Sequence, residues 1–446
     1  MPIYIRRVIF WIFVLIFFIS APALVLYTAG YRYSLSSGVV TRTGVLSITT
    51  NPRGAEIYLD GESTGIKSPD VINRVMPGTY TIELRKDGYR PWTGQVDIKS
   101  GQATTLQGIY LFLDQDANLL FDKETSSLAV DPLGDTIAYT IIEGGWQELW
   151  MYQLEKNIHT LLNQTMDAGE NETQLTWSAN GSYLSVYDPT TSTVALYNKD
   201  AVKLPIPIED EILAVSWHPS ADQLLLLTTQ YGITQLDVQT MATHIFSQTD
   251  DTSVLLDASI LRITQGTTYT EVAQYVNGEK ETLALLPKSS YNIQQRDGAY
   301  LILSDSIGQI YLIEIHQDQP ILLQKEATAY DWNKNADMLV FTNGYELSVY
   351  DAKTHSTELI TRQSTKINSV AWHPSANIVF VQDSALNAYE IYAIANQRFV
   401  TNLLNNTDIK ELWVSKNGNN IYFYGQQNGA YGVYQLKLAN TLDSIF

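Results

Sequence analysis

The chain has 446 residues, with 28 Lys/Arg against 47 Asp/Glu, a formal charge of −19, no cysteine, 28 tyrosines and 9 tryptophans. That length exceeds one ordinary core, so two or more folded units are expected, and the lack of cysteine excludes disulfides, thiolate nucleophiles, cysteine-ligated zinc and a lipidated cysteine. Residues 1–113 hold 11 Lys/Arg and 7 Asp/Glu, which leaves 17 and 40 for residues 114–446, a balance that argues against nucleic-acid binding.

Residues 1–30 read as a short cytoplasmic stub and a transmembrane helix. Val8–Ala29 is 22 residues without a charge, about 33 Å as a helix and long enough for a hydrocarbon core. Arg6 and Arg7 precede it, and the positive-inside preference keeps that end in the cytoplasm and sends the bulk outside. Trp11 and Tyr27 suit the two interfaces. The competing reading is a cleaved signal peptide with Ala21-Pro22-Ala23 at the cleavage site. Leu24, Val25 and Leu26 prolong the apolar run and favour the anchor.

Residues 31–43 read as a linker, and residues 44–113 as short strands. Val45, Leu46 and Ile48 run to a turn at Asn51-Pro52-Arg53-Gly54; further alternation follows around Asp60-Gly61, Pro77-Gly78 and Asp87-Gly88. Val96, Ile98 and Ile109–Leu113 complete a unit that buries its faces best as a small β-sandwich. The runs TNPRGAEIYLDGESTG (Thr50–Gly65) and PGTYTIELRKDGYRPW (Pro77–Trp92) resemble a PEGA domain, with Arg53 where the family motif has Glu. The resemblance implies a sandwich common in bacterial and archaeal surface proteins, often behind a membrane helix, with no catalytic residues to carry over. Gly61-Glu62-Ser63-Thr64-Gly65 spells a nucleophile elbow, but no helix pattern follows it. Tyr89 and Trp92 read as core or edge aromatics rather than a sugar platform.

Residues 114–446 repeat. Aligned on Val130, Trp177, Trp217, Ile293, Trp332, Trp372 and Val414, the spacings are 47, 40, 76, 39, 40 and 42, and a weaker copy near Leu255 fills the long gap. Periods near 40 with about four short strands specify propeller blades, eight here with seven as the alternative. The last copy lacks a fourth strand and Asn118–Phe121 is unassigned, so that segment is expected to close the ring. WHPSA at Trp217 and Trp372, WSANG at Trp177 and WNKNA at Trp332 resemble WD-repeat-like and TolB-like propellers. Their turns depart from the Ser-Pro-Asp-Gly-like form at most positions, and the fold by itself implies no activity.

No catalytic, cofactor-binding or metal site emerges. His218 and His373 share one turn in two repeats and read as structural; His159, His244, His316 and His355 are isolated. Asp114-Gln115-Asp116-Ala117-Asn118 opens like a calcium loop, but Leu119 stands for its glycine and Thr125 for its glutamate. The repeat tryptophans read as core of the innermost strands, and Trp146 and Trp150 as loop aromatics available for binding. The expectation is an all-β, non-enzymatic scaffold of the cell envelope that binds an envelope protein or cell-wall glycan and no cofactor. The alternative is a propeller enzyme acting on glycans through paired carboxylates from distant blades.

Overall fold

The computed structural model describes residues 2–33, 40–166, 173–218, 221–247, 252–256, 259–276, 279–297, 299–315, 320–333, 337–375, 377–391, 398–405 and 407–440. A single helix, Ile3–Thr28, opens the chain; an 18-residue stretch of its 26 residues reaches a mean hydropathy of 2.8, and none of the 26 is buried. At about 1.5 Å per residue it is long enough to cross a bilayer, as a single-pass anchor or as a signal sequence. Two compact units follow from the packing, one of Met1–Gln115 with Tyr392–Thr401 and Leu438–Phe446, the other of Asp116–Ile391 with Asn402–Lys437.

In the first unit, the stretch read as a linker carries a short hairpin: β1 (Tyr31–Tyr33) pairs antiparallel with β2 (Val40–Arg42). The Thr43 backbone N–H and hydroxyl both donate to the Gly30 carbonyl, at 2.9 and 2.8 Å, and fix the start of the sandwich to the end of the helix. The sandwich strands are β3 (Gly44–Asn51), β4 (Glu56–Leu59), β5 (Glu62–Lys67), β6 (Asp70–Val75), β7 (Gly78–Arg85), β8 (Trp92–Ile98) and β9 (Ala103–Tyr110). One sheet is ordered β6-β3-β9 and the other β5-β4-β7-β8, with β3 and β9 parallel. Period-two alternation explains the burial: along β8, Trp92, Gly94, Val96 and Ile98 are buried and the residues between them exposed. The turn from β4 to β5 places Asp60 and Gly61 at φ 48° and 83°, the two positive values that a tight hairpin turn demands.

Leu46, Ile48, Ile57, Ile82, Leu84 and Leu106 form the fully buried centre of the sandwich. Phe399 joins them, its ring centroid 4.4 Å from that of Trp92. Gly94 leaves the room, since a Cβ there would stand 2.3 Å from the Phe399 ring. The Leu113 N–H donates to the Leu438 carbonyl at 3.0 Å and Asn440 Nδ2 to the Tyr89 hydroxyl at 3.3 Å. Phe399, Leu438 and Asn440 all lie in the span read as propeller, yet they pack in this unit.

The second unit holds eight four-stranded antiparallel sheets among the described residues. Blades 1 to 7 span Ser127–Met166, Gln174–Leu204, Ile212–Ser247, Thr252–Pro287, Tyr291–Glu326, Ala329–Arg362 and Ser369–Asn405, each running in chain order through strands a to d. Blade 8 takes a, b and c from Thr407–Val414, Asn420–Gln427 and Ala430–Lys437, and its outer strand is β10 (Asn118–Phe121), with Asn118 opposite Gln435 and Phe121 opposite Val433. Eight blades and closure by Asn118–Phe121 match the sequence expectation, and the weak copy near Leu255 is blade 4. Strands such as Met338–Thr342 and Ile378–Gln382 are buried throughout, so each sheet needs a neighbour on both faces. The a strands of blades 1 and 2, 2 and 3, 6 and 7, and 7 and 8 are neighbours. Antiparallel alternation puts all a–b and c–d turns on one face of the propeller and all b–c hairpins and d–a connections on the other.

Candidate binding surfaces of the propeller

The repeat tryptophans act between blades. Trp177 Nε1 donates to the Ala129 carbonyl at 3.1 Å, Trp217 Nε1 to Thr176 at 2.9 Å, and Trp372 Nε1 to Asp331 at 3.0 Å. In each case the acceptor immediately precedes the aligned residue of the previous blade. Trp177, Trp332 and Trp372 are buried and Trp217 half-buried.

The residue after the aligned position caps the a–b turn. Asp131 Oδ1 accepts the Asp135 and Thr136 N–H groups at 2.6 and 2.8 Å, and Ser178 and Ser415 Oγ accept those of Tyr183 and Asn420, both at 3.0 Å. His218 and His373 do the same with Nδ1, accepting from Ala221 at 3.1 Å and Ser375 at 3.2 Å. An accepting Nδ1 carries no proton, and burial lowers the His373 pKa to about 4 against the opposing effect of a hydrogen bond with the Gly418 backbone. The next blade's turn glycine packs on the cap: a Cβ on Gly181 would stand 2.9 Å from Asp131 Oδ2, and one on Gly418 2.5 Å from the His373 ring.

The other sequence candidates fall apart spatially. His159 Nδ1 meets the Tyr139 hydroxyl at 2.8 Å and stacks on Tyr152 at 4.1 Å beside Phe121, where burial lowers its pKa. His244 is in strand d of blade 3 and His355 in the c–d turn of blade 6, and His316 lies outside the described residues. Among the described residues no three His, Cys, Asp or Glu are grouped to hold a metal ion. Asp114 pairs with Arg90 at 3.6 Å, and Leu119 is in β10. Ser63 Oγ accepts the Gly65 N–H within β5, while Tyr89 and Trp92 are sandwich core. Trp146 and Trp150 are not loop residues: the Gly144-Gly145 turn is only two residues long, so both sit in the strand Trp146–Gln153. Trp146 stays 44% exposed, and Trp150 packs inward with Nε1 donating to Glu148 at 3.0 Å.

Cavities of about 200 to 540 Å³ open in the propeller. One, of about 420 Å³, lies against the a strands of blades 6, 7, 8 and 1 and includes Tyr330, Asp331, Trp372, Trp413 and Val130. The Asp331 carboxylate accepts the Trp332 N–H on Oδ1 at 2.9 Å and the Trp372 N–H on Oδ2 at 2.7 Å. Burial nevertheless raises its pKa to about 6, because desolvation outweighs both hydrogen bonds. No motif marks Asp331: it is one acidic residue where other repeats have Ala129, Thr176, Ser216 or Ala371. A second cavity, about 540 Å³, lies between the b–c hairpin of blade 2 and the connection to blade 3, with Glu209, Asp210 and Glu211 in its wall.

The family model described as PEGA domain matches residues 43–109. That stretch is a PEGA domain. The propeller has solved structural relatives at low identity. The Dos1 propeller shares 13% identity over 72% of this chain and 94% of its own, with a TM-score of 0.50. Sqt1 of Saccharomyces cerevisiae shares 11% over 73% and 98%, and the computationally designed Ika8 protein 15% over 71% and 97%, both at a TM-score of 0.47. At these identities the likeness speaks to fold alone. A search of curated proteins found no match. PEGA domain, closed propeller and apolar N-terminal helix together give the architecture that the residue patterns imply.

Proposed function

We propose that this chain is a membrane-anchored scaffold of the cell envelope, with its bulk outside the cytoplasm and its propeller holding a protein partner without turning it over. One observation supports the reading most: the repeat residues that could have formed a chemical site, three of the four tryptophans and both turn histidines, are spent on linking blades and capping turns. What remains for function is surface. The PEGA domain serves as a spacer or wall-contact module, and Arg6 and Arg7 before the helix set the orientation. With 17 Lys/Arg against 40 Asp/Glu in residues 114–446, the surface favours a basic partner.

The test uses the full chain. Protease added to intact spheroplasts is expected to digest the bulk; protection of the C-terminal region would reverse the orientation, and a soluble mature chain beginning near Leu24 would replace anchor by signal peptide. The full chain, purified in detergent, is expected to hold a basic envelope protein in a complex that weakens as salt rises past about 0.15 M, where screening acts over about 8 Å. Release of product from cell-wall glycan, abolished by changing one carboxylate to its amide, would overturn the scaffold reading.

A further inference from the structure

The exposed aromatic residues of the propeller are unevenly placed. Among its described residues these are Trp146, Tyr231, Tyr269, Tyr345 and Tyr431, from 42 to 60% exposed. Every one stands in or beside a b–c hairpin, in blades 1, 3, 4, 6 and 8. Ile307, 73% exposed, holds the same place in blade 5. Because b–c hairpins share one face, six of eight blades present a large apolar side chain there. Nothing in blade packing requires this, since a hairpin tip is where polar turn residues are favoured. Exposed tyrosine and tryptophan are the side chains that anchor protein interfaces.

Charge on the same face selects the occupant. Glu143, Asp188, Asp383 and the cavity residues Glu209, Asp210 and Glu211 all lie on b–c hairpins or d–a connections. Two basic groups near them are already paired, Lys123 with Glu143 at 3.7 Å and Arg362 with Glu346. The chain itself shows how a cation is received there: Lys410 Nζ lies 5.2 Å from the centroid of Tyr431.

We propose that the b–c face is the docking surface and that its occupant is a basic protein segment, whose Arg or Lys side chains lie on the hairpin aromatics and enter the cavity walled by Glu209, Asp210 and Glu211. This rests on the reading of the propeller as a binding platform. It adds the face, the residues and the partner's chemistry.

The probe is a fluorescent oligo-arginine peptide titrated against the full chain purified in detergent, with a neutral chitin oligomer as the second ligand. Y231A/Y345A and E209Q/D210N/E211Q alter the b–c face; E155Q/D200N and L133A alter exposed positions on the opposite face. Thermal melts confirm folding of each. Salt-sensitive peptide binding is expected, weakened about fivefold or more by either b–c set and by less than about twofold in the opposite-face variants, whose groups lie outside the contact. Equal weakening from both faces would overturn the face assignment while leaving the platform reading intact. No peptide binding even at low salt would overturn both. Binding of the chitin oligomer alone, lost in Y231A/Y345A, would replace the basic segment by a glycan.

Discussion

Trp372 is joined to Asp331 twice: its backbone N–H donates to Oδ2 at 2.7 Å and its indole Nε1–H to the carbonyl oxygen at 3.0 Å. Both bonds run from blade 7 back to blade 6. Trp372→Phe removes one donor and strands a carbonyl, and is expected to cost about 1–3 kcal/mol in urea unfolding. Trp217→Phe breaks the same kind of bond where the indole is half-buried, so water replaces it and the cost falls below about 1 kcal/mol. Equal losses would remove the role assigned to burial.

The His373 cap should carry a pH signature. Its pKa falls from 6.5 to about 4 on folding, so across that window the unfolded chain binds the proton more readily and stability drops as pH falls. Asp331 runs the other way, from 3.8 to about 6, so its contribution drops as pH rises through that range. His373→Ser installs the cap of blades 2 and 8 and removes the His373 slope. Its destabilisation, measured by urea at pH 7.5 and pH 4.5, is expected to be larger at the higher pH by about 2 kcal/mol. A pH-independent cost would show that the ring is not held neutral.

Gly418 and Gly144 separate backbone strain from crowding. Both have positive φ, 74° and 61°, but a Cβ on Gly418 meets His373 whereas one on Gly144 meets nothing within 4 Å. Gly144→Ala is expected to cost about 1 kcal/mol and Gly418→Ala about 2 kcal/mol or more. Similar melting temperatures for the two variants would mean that the turn-on-cap contact is not tight.

Ring closure depends on Phe121, whose side chain stacks on Tyr139 with centroids 4.5 Å apart and meets Tyr152 and His159 edge-on. Phe121→Asp would bury a charge in that box and release β10. Hydrogen exchange should then accelerate first in Ala430–Lys437, the strand that pairs with β10. Acceleration spread evenly over all blades would argue against a local seam.

The architecture was legible because it repeats. Tryptophan at 177, 217, 332 and 372 set the period, and the orphan segment Asn118–Phe121 matched a missing outer strand. Blade 4 was faint because its a strand, Thr252–Leu256, has leucine where blades 2, 3, 6 and 7 have tryptophan. The surface was less legible. Trp146 was visible as an exposed aromatic, but Tyr231, Tyr269, Tyr345 and Tyr431 belong together only once strand order has placed their hairpins on one face. Asp331 could not be singled out either, since its neighbours arrive from a blade about 40 residues onward. Phe399 was hidden for the same reason, as no local pattern distinguishes a residue that fills the sandwich core from about 300 positions away.

Synthesis order gives Phe399 a further meaning. The strands of the PEGA domain emerge before the propeller, but the ring that packs on Trp92 is 307 positions later, and the carbonyl that receives the Leu113 N–H is at Leu438, just past the strand Ala430–Lys437. Contacts this distant in sequence form slowly, because a long loop must close before they can stabilise anything. A module made before the propeller is therefore finished only after most of the propeller has been made. Until Phe399 has been made its core exposes Trp92 and the space over Gly94, an apolar surface open to chaperones and proteases alike.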